Sequence, residues 1–210
     1  MIKKLFFVTN LIMSATLLGT TFEDYFNQAI RLVHEEKNQE SIAALEKAAQ
    51  LNPTHAPTYF NMGIIHKAMG NITAAQENFE RAIVCNPDYK KAYTNLGHLY
   101  VSANRFNDAL TCYKKTIDLG DSTAEPYLAL GRLYKSMNNN TLAQKYFNKA
   151  LSYDTTNISI MFELGNIYNV QEQYSQAVTH YKKILSLNPA LNDIAYNIAH
   201  VLRSQGNFEE

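Results

Sequence analysis

The sequence has no tryptophan, only two cysteines and five prolines, and no excess charge of either sign. Each shortage closes off a class of protein. Cys85 and Cys112 are too few for a disulfide framework and lack the C-x-x-C spacing of a zinc site. A free cysteine behaves as a small hydrophobe, so both read as packing residues. Nineteen Lys and Arg balance nineteen Asp and Glu, which leaves no global field to draw in nucleic acid. The six histidines, His34, His55, His66, His98, His180 and His200, include no H-x-x-x-H pair, so no metal is expected. No G-x-S-x-G, P-loop or G-x-G-x-x-G occurs, and no catalytic residue or cofactor is expected. Apolar residues make up 46% and charged residues 18%, the composition of a folded chain.

Long apolar runs are scarce too. The one at the N-terminus follows Lys3-Lys4, extends uncharged from Leu5 to Gly19, and ends in Gly19-Thr20-Thr21 and the acidic pair Glu23-Asp24. This is the three-part layout of a secretory signal peptide, expected over residues 1–21. The run is shorter than the ~20 residues of a comfortable bilayer span and contains Asn10. A stable membrane span in the mature chain is therefore not expected. Export to a periplasm or the exterior follows if the segment is a signal peptide. Otherwise it is an apolar helix on the first repeat of a cytoplasmic protein.

What is abundant is repetition. Gly63, Gly97, Gly131 and Gly165 stand 34 residues apart. So do Tyr25, Tyr59, Tyr93 and Tyr127, with Met161 continuing the column. Ala75, Ala109, Ala143 and Ala177 form a third column, and Leu45, Phe79, Tyr113, Phe147 and Tyr181 a fourth. Pro53, Pro87 and Pro189 share one register, each after Asn. Apolar residues recur at three- and four-residue steps, so each unit reads as two amphipathic helices. A glycine inside the first helix costs ~1 kcal/mol against alanine, tolerable only if its missing side chain admits the paired helix. Gly70 and Gly206 mark the turn within a hairpin. A single hairpin cannot bury its apolar face alone, so the units must stack.

These columns resemble the tetratricopeptide repeat. The best copy is Tyr59-x-x-Met62-Gly63-x-x-His66, then Ala75, Phe79, Ala82 and Pro87. The resemblance covers residues 22–210, with units starting near 22, 56, 90, 124, 158 and 192, the last incomplete. It implies an all-α fold, a right-handed superhelical solenoid of antiparallel helix hairpins (an α-α superhelix). Departures are mild: Asp121 and Thr155 replace proline, Thr116 and Ile184 replace a small alanine, and the first unit has Ala29 and Ser41 for glycine and alanine. Because Gln205 to Glu210 reads as a turn into a second helix, the coding frame is expected to continue in register.

The resemblance implies a protein- or peptide-binding scaffold, not an enzyme, with the first helices lining the concave face. Two residues before the glycine column stand Asn27, Asn61, Asn95 and Asn197, interrupted by Ala129 and Glu163. In the repeat array of O-linked N-acetylglucosamine transferases a similar asparagine ladder holds a peptide backbone, since an amide both donates and accepts. The expected peptide-binding residues are Asn27, Asn61, Asn95, Asn197, Phe60, Lys91, His98 and Arg132. The Phe26, Phe60, Thr94, Leu128, Phe162 and Tyr196 column reads either as ligand anchors or as packing between first helices. Lys135 and Arg203, with Glu23, Glu125, Glu163 and Asp193, make the groove mixed in charge. The basic pairs that clamp chaperone tails in some cytosolic relatives are not found. The alternative is the substrate-recognition array of a larger enzyme, for example a glycosyltransferase, whose catalytic domain lies beyond residue 210. Asn71, Asn139 and Asn157 open glycosylation sequons to which no function is assigned.

Overall fold

The computed structural model describes residues 20–206. The expected signal peptide lies almost wholly outside them, as do the last four residues. Among the described residues there are eleven helices and no strand. They are α1 (Phe22–His34), α2 (Asn38–Leu51), α3 (Ala56–Ala68), α4 (Ile72–Cys85), α5 (Lys90–Ser102), α6 (Phe106–Asp118), α7 (Glu125–Ser136), α8 (Asn140–Tyr153), α9 (Ile158–Val170), α10 (Tyr174–Leu187) and α11 (Asn192–Gln205). Odd-numbered helices are the first of each hairpin and even-numbered ones the second. The fold class is the all-α stacked-hairpin class expected. The chain divides into two compact units after Ala92, within α5. In the first unit α1 packs on α2, α2 on α3, and α3 on α4. In the second, α6 through α11 pack each on the next. No helix among the described residues is long and apolar enough to cross a membrane.

Local chemistry sets the helix ends. Thr21 caps α1 in a capping box: its Oγ1 accepts from the Asp24 N–H at 3.2 Å, and its own N–H donates to Asp24 Oδ2 at 2.9 Å. Asn139 and Asn157 cap α8 and α9 by accepting from the Leu142 and Ile160 N–H groups. Asn71 occupies the N-cap of α4 without a side-chain bond, so all three sequons coincide with N-caps, which prefer asparagine. Asn52, Asn86 and Asn188 end α2, α4 and α10, each followed by proline. Where proline is missing, an aspartate shapes the turn. Asp121 Oδ1 accepts from the N–H and Oγ1 of Thr123, and Asp154 Oδ1 from those of Thr156.

Gly70 and Gly206 do mark the turn inside their hairpins, and the same backbone recurs where glycine is absent. Glu36, Gly70, Asn104, Asn138, Glu172 and Gly206 all adopt positive φ, between 57° and 85°. They share the 34-residue register; glycine and asparagine suit such a backbone, whereas Glu36 and Glu172 do not.

The glycine column admits the ring of its partner helix. A Cβ on Gly63 would lie 2.6 Å from the Phe79 ring, and one on Gly131 2.5 Å from Phe147. Both rings are fully buried. The weakest unit compensates: Ser41 is fully buried where alanine is usual, and its Oγ donates to the Ala29 carbonyl at 2.9 Å, tying α2 to α1. Thr116 likewise donates to the Cys112 carbonyl at 3.0 Å. A further column was not foreseen. Lys47, Arg81, Lys115, Lys149 and Lys183 recur every 34 residues. The cations of Lys47, Arg81 and Lys149 sit 5.3, 5.1 and 5.8 Å from the centroids of Tyr25, Tyr59 and Tyr127. Cation–π attraction thus fastens second helices to the tyrosine column of the first.

Candidate functional site

In the first unit, Asn27 on α1 is exposed and Asn61 on α3 half-buried. Phe60 is half-buried, its ring centroid 5.7 Å from Phe79 and 5.2 Å from Tyr89. Phe26 sits edge-on to His55 at 5.1 Å. Both phenylalanines pack against the core of this unit, so most of their surface serves the fold. Lys91, at the start of α5, is exposed and engaged in interactions within the fold.

The second unit shows the more developed geometry. A hollow of about 320 Å³ opens between α5, α6 and α7. Val101, Tyr113, Ala129 and Leu133 supply apolar walls, and His98, Glu125 and Arg132 bring polar atoms to it. His98 Nε2 lies 3.7 Å from Glu125 Oε1, and its ring is 5.6 Å from Tyr113. Burial and then the Glu125 charge push the Tyr113 phenol well above its ordinary range, so the ring enters the hollow uncharged. Ala129, which interrupts the asparagine column, is nearly buried and lines the hollow. A longer side chain there would occupy the space that alanine leaves.

Several of the charges expected to face a ligand are engaged between helices. Lys135 Nζ donates to Glu163 Oε2 at 2.5 Å, and Arg132 donates to Ser159 Oγ at 3.1 Å. With His98 and Glu125, these contacts join successive first helices, α5 to α7 and α7 to α9. Glu163 therefore interrupts the asparagine column by serving as a link between hairpins. The partners stand 27 or 28 residues apart, less than one repeat. That offset is the signal that sequence reasoning missed, along with Val101, Tyr113 and Leu133.

The structure brings His98 and Arg132 to one hollow. Asn95 on α5 is half-buried and engaged within the fold, and Asn197 on α11 is half-buried. Leu128 is buried, Phe162 is packed 6.1 Å from Tyr181, and Tyr196 is 72% exposed. Of the apolar column in this unit, Tyr196 is thus the member whose ring is open to a ligand. No group of three or more metal-ligating side chains occurs among the described residues.

Models described as tetratricopeptide repeat match residues 44–77, 78–111, 124–157 and 158–191. No curated protein matches the sequence. Among solved structures, pilF of Pseudomonas aeruginosa is similar with a TM-score of 0.75 at 15% identity, covering 89% of this chain and 86% of that one. MamA of Desulfovibrio magneticus RS-1, from residue 41 to its end, is similar with a TM-score of 0.74 at 19% identity, covering 83% and 98%. YrrB, described as a TPR protein with an unusual peptide-binding site, is similar with a TM-score of 0.69 at 19% identity, covering 79% and 86%. At these identities the likeness is one of fold.

Proposed function

The chain belongs to the tetratricopeptide repeat family, and from that premise we propose that it is a non-catalytic scaffold whose first helices hold an extended segment of another protein. The observation that carries the reading is the hollow between α5, α6 and α7: apolar walls, with His98, Glu125 and Arg132 at hand. A pocket lined mainly by apolar groups with a few placed polar ones is the common form of a recognition site. YrrB, similar in fold, is itself described as having a peptide-binding site. In this reading a ligand side chain enters the hollow. Within the second unit the amides of Asn95 and Asn197 serve its backbone; within the first, Asn27 and Asn61 offer the same contacts, and Phe60 and Lys91 add local selectivity. A peptide backbone that loses water needs such partners, since each unmet buried group costs roughly 1–3 kcal/mol.

The test begins with peptides selected from a random displayed library on the intact chain. Their affinity is then measured for Asn61→Ala/Asn95→Ala and for Ala129→Phe, which fills the hollow. Each variant should weaken binding by about tenfold or more, equivalent to ~1.4 kcal/mol, while the helical circular dichroism is kept. Unchanged affinity in both folded variants would place recognition on another face.

Export is part of the same proposal. Because Thr21 caps α1, a mature chain starting at Thr20 keeps its first helix capped, whereas one starting at Phe22 loses the cap. N-terminal sequencing of protein from its native host should find Thr20. Recovery of Met1 in a cytosolic fraction would overturn it.

A further inference from the structure

Within the second unit, the first helices and the second helices α8 and α10 handle charge differently. On the first helices, Lys135 is paired with Glu163, and His98 lies beside Glu125. On the second helices α8 and α10 there is nothing to pair with. The α8 helix carries Lys145 and Lys149, and α10 carries Lys182 and Lys183, with no Asp or Glu on either. All four lysines are exposed. Among the described residues none of the four takes part in an ion pair.

One of these cations is held in place. The Tyr127 and Tyr153 rings stack 5.2 Å apart at 14°, and Lys149 Nζ lies 5.8 and 5.0 Å from their centroids. The Tyr153 hydroxyl beside it, ahead of burial, raises the pKa of Tyr127. Beside the pair, Tyr127, Lys145, Tyr146, Asn148, Lys149 and Ser152 line a depression of about 500 Å³. Tyr146 is itself fixed by stacking on Tyr134 at 5.3 Å and 8°. The ring quadrupole attracts an ammonium without neutralising it. Lys149 is therefore positioned but still carries its full charge, which lowers the ordering cost of binding an anion. The carboxylates of the two flanking turns are directed into those turns and not to a lysine. Asp121 binds Thr123, and Asp154 binds Thr156 and Asn157.

From this we infer a second docking surface, on the α7–α8 hairpin, that takes a carboxylate-bearing segment of a partner protein into the Tyr127–Tyr146–Lys149 depression. It is separate from the site on the first helices and does not depend on it. Lys145 and Lys149 meet acidic side chains, the tyrosine rings and hydroxyls take apolar and polar parts of the same segment, and Lys182 and Lys183 extend the positive field along α10. The choice of carboxylate over phosphate rests on the donors. Neither helix has an arginine, the residue whose planar fork suits bidentate phosphate contacts. The chain as a whole is neutral, without the basic excess of a polyanion binder.

The test uses the full chain and fluorescence anisotropy with three probes. These are a labelled decapeptide of alternating Glu and Tyr, a labelled single-stranded decathymidine, and vesicles of phosphatidylserine in phosphatidylcholine. The peptide should bind most tightly and weaken as salt is raised. Lys145→Glu/Lys149→Glu should lose about tenfold or more in affinity. Tyr153→Leu, which removes the ring closest to Lys149, should lose several-fold, and Lys149→Arg should stay near wild type. Asn61→Ala should bind the acidic peptide like wild type, which separates this surface from the first-helix site. Circular dichroism confirms that each variant is folded. Wild-type affinity in the charge-reversed variant, or tighter binding of the oligonucleotide or the vesicles, would overturn the assignment.

Discussion

Replacing Gly131 with alanine would put a methyl group where Phe147 already sits. The new Cβ would fall 2.5 Å from Cδ1 and Cε1 of that ring and 2.9 Å from Cγ. Carbon atoms at rest keep ~3.5 Å or more between them, so the ring must retreat by about 1 Å. Phe147 is fully buried on α8 and has no open space to enter. Overpacking of this size costs about 1–3 kcal/mol. Alanine returns ~1 kcal/mol through its better helix propensity. The expected net loss is about 1 kcal/mol, read as a fall of roughly 2–4 °C in the thermal midpoint by circular dichroism. Packing and propensity have opposite signs here, which makes the experiment decisive. Adding Phe147→Leu should rescue part of the loss, giving a favourable coupling in a double-mutant cycle. Gly70 is the contrast: no atom lies within 4 Å of its added Cβ, but its φ is +78°, so an alanine there strains the backbone and no ring substitution should help. A higher midpoint for Gly131→Ala, or strict additivity with Phe147→Leu, would refute the packing account of the glycine column.

Three further outcomes are expected. Ser41→Ala restores the residue usual at that position yet should lower stability by about 0.5–1.5 kcal/mol in urea unfolding, because the bond to the Ala29 carbonyl is lost. Glu172→Gly, at φ +58°, should raise stability by about 0.5–1 kcal/mol, since relief of left-handed strain exceeds the entropy glycine adds to the unfolded chain. The Tyr181 phenol is pushed up to about 12 by burial and the Glu163 charge. Its contribution is therefore fully present below the unfolded value of about 10 and lost as pH rises through the folded one. Thermal midpoints should fall above pH ~10, and less steeply in Tyr181→Phe, which also gives up the bond to Asn166 Oδ1 at 2.7 Å.

Much of the fold was legible because packing repeats. Gly63 through Gly165 and the rings they admit are spaced by the period itself, and helix starts at Phe22, Ala56, Lys90, Ile158 and Asn192 fall where the register puts them. The hairpin turns were only half legible. Glu36 and Glu172 adopt the left-handed backbone although glutamate gives no local hint of it; the surrounding helices impose it. Asp121, in the proline position, and Asp154, one residue before it, form a side-chain-bonded turn in place of a rigid proline, and only the hydrogen bonds reveal the equivalence. The cation column at Lys47, Arg81 and Lys149 was visible as spacing, but its meaning required knowing that a second-helix residue reaches the tyrosine of the first. Site residues were the least legible. The expected asparagines are placed by register, yet Ala129 and Glu163 depart from that column for reasons that reside in a neighbouring hairpin.

The link from Lys135 to Glu163 bears on how such a chain can evolve. Repeat arrays lengthen and shorten by duplication and loss of whole modules, as if the modules were interchangeable. Here a module boundary drawn at Ile158 would cut between Lys135 and Glu163, and also between Arg132 and Ser159. A recombinant that inherited one side alone would carry an unanswered charge at its seam. The hairpins beginning at Glu125 and Ile158 are therefore expected to be inherited as a pair, and a chimera joined between them to be less stable than one joined after Leu187; a join before Glu125 would still cut the His98–Glu125 contact.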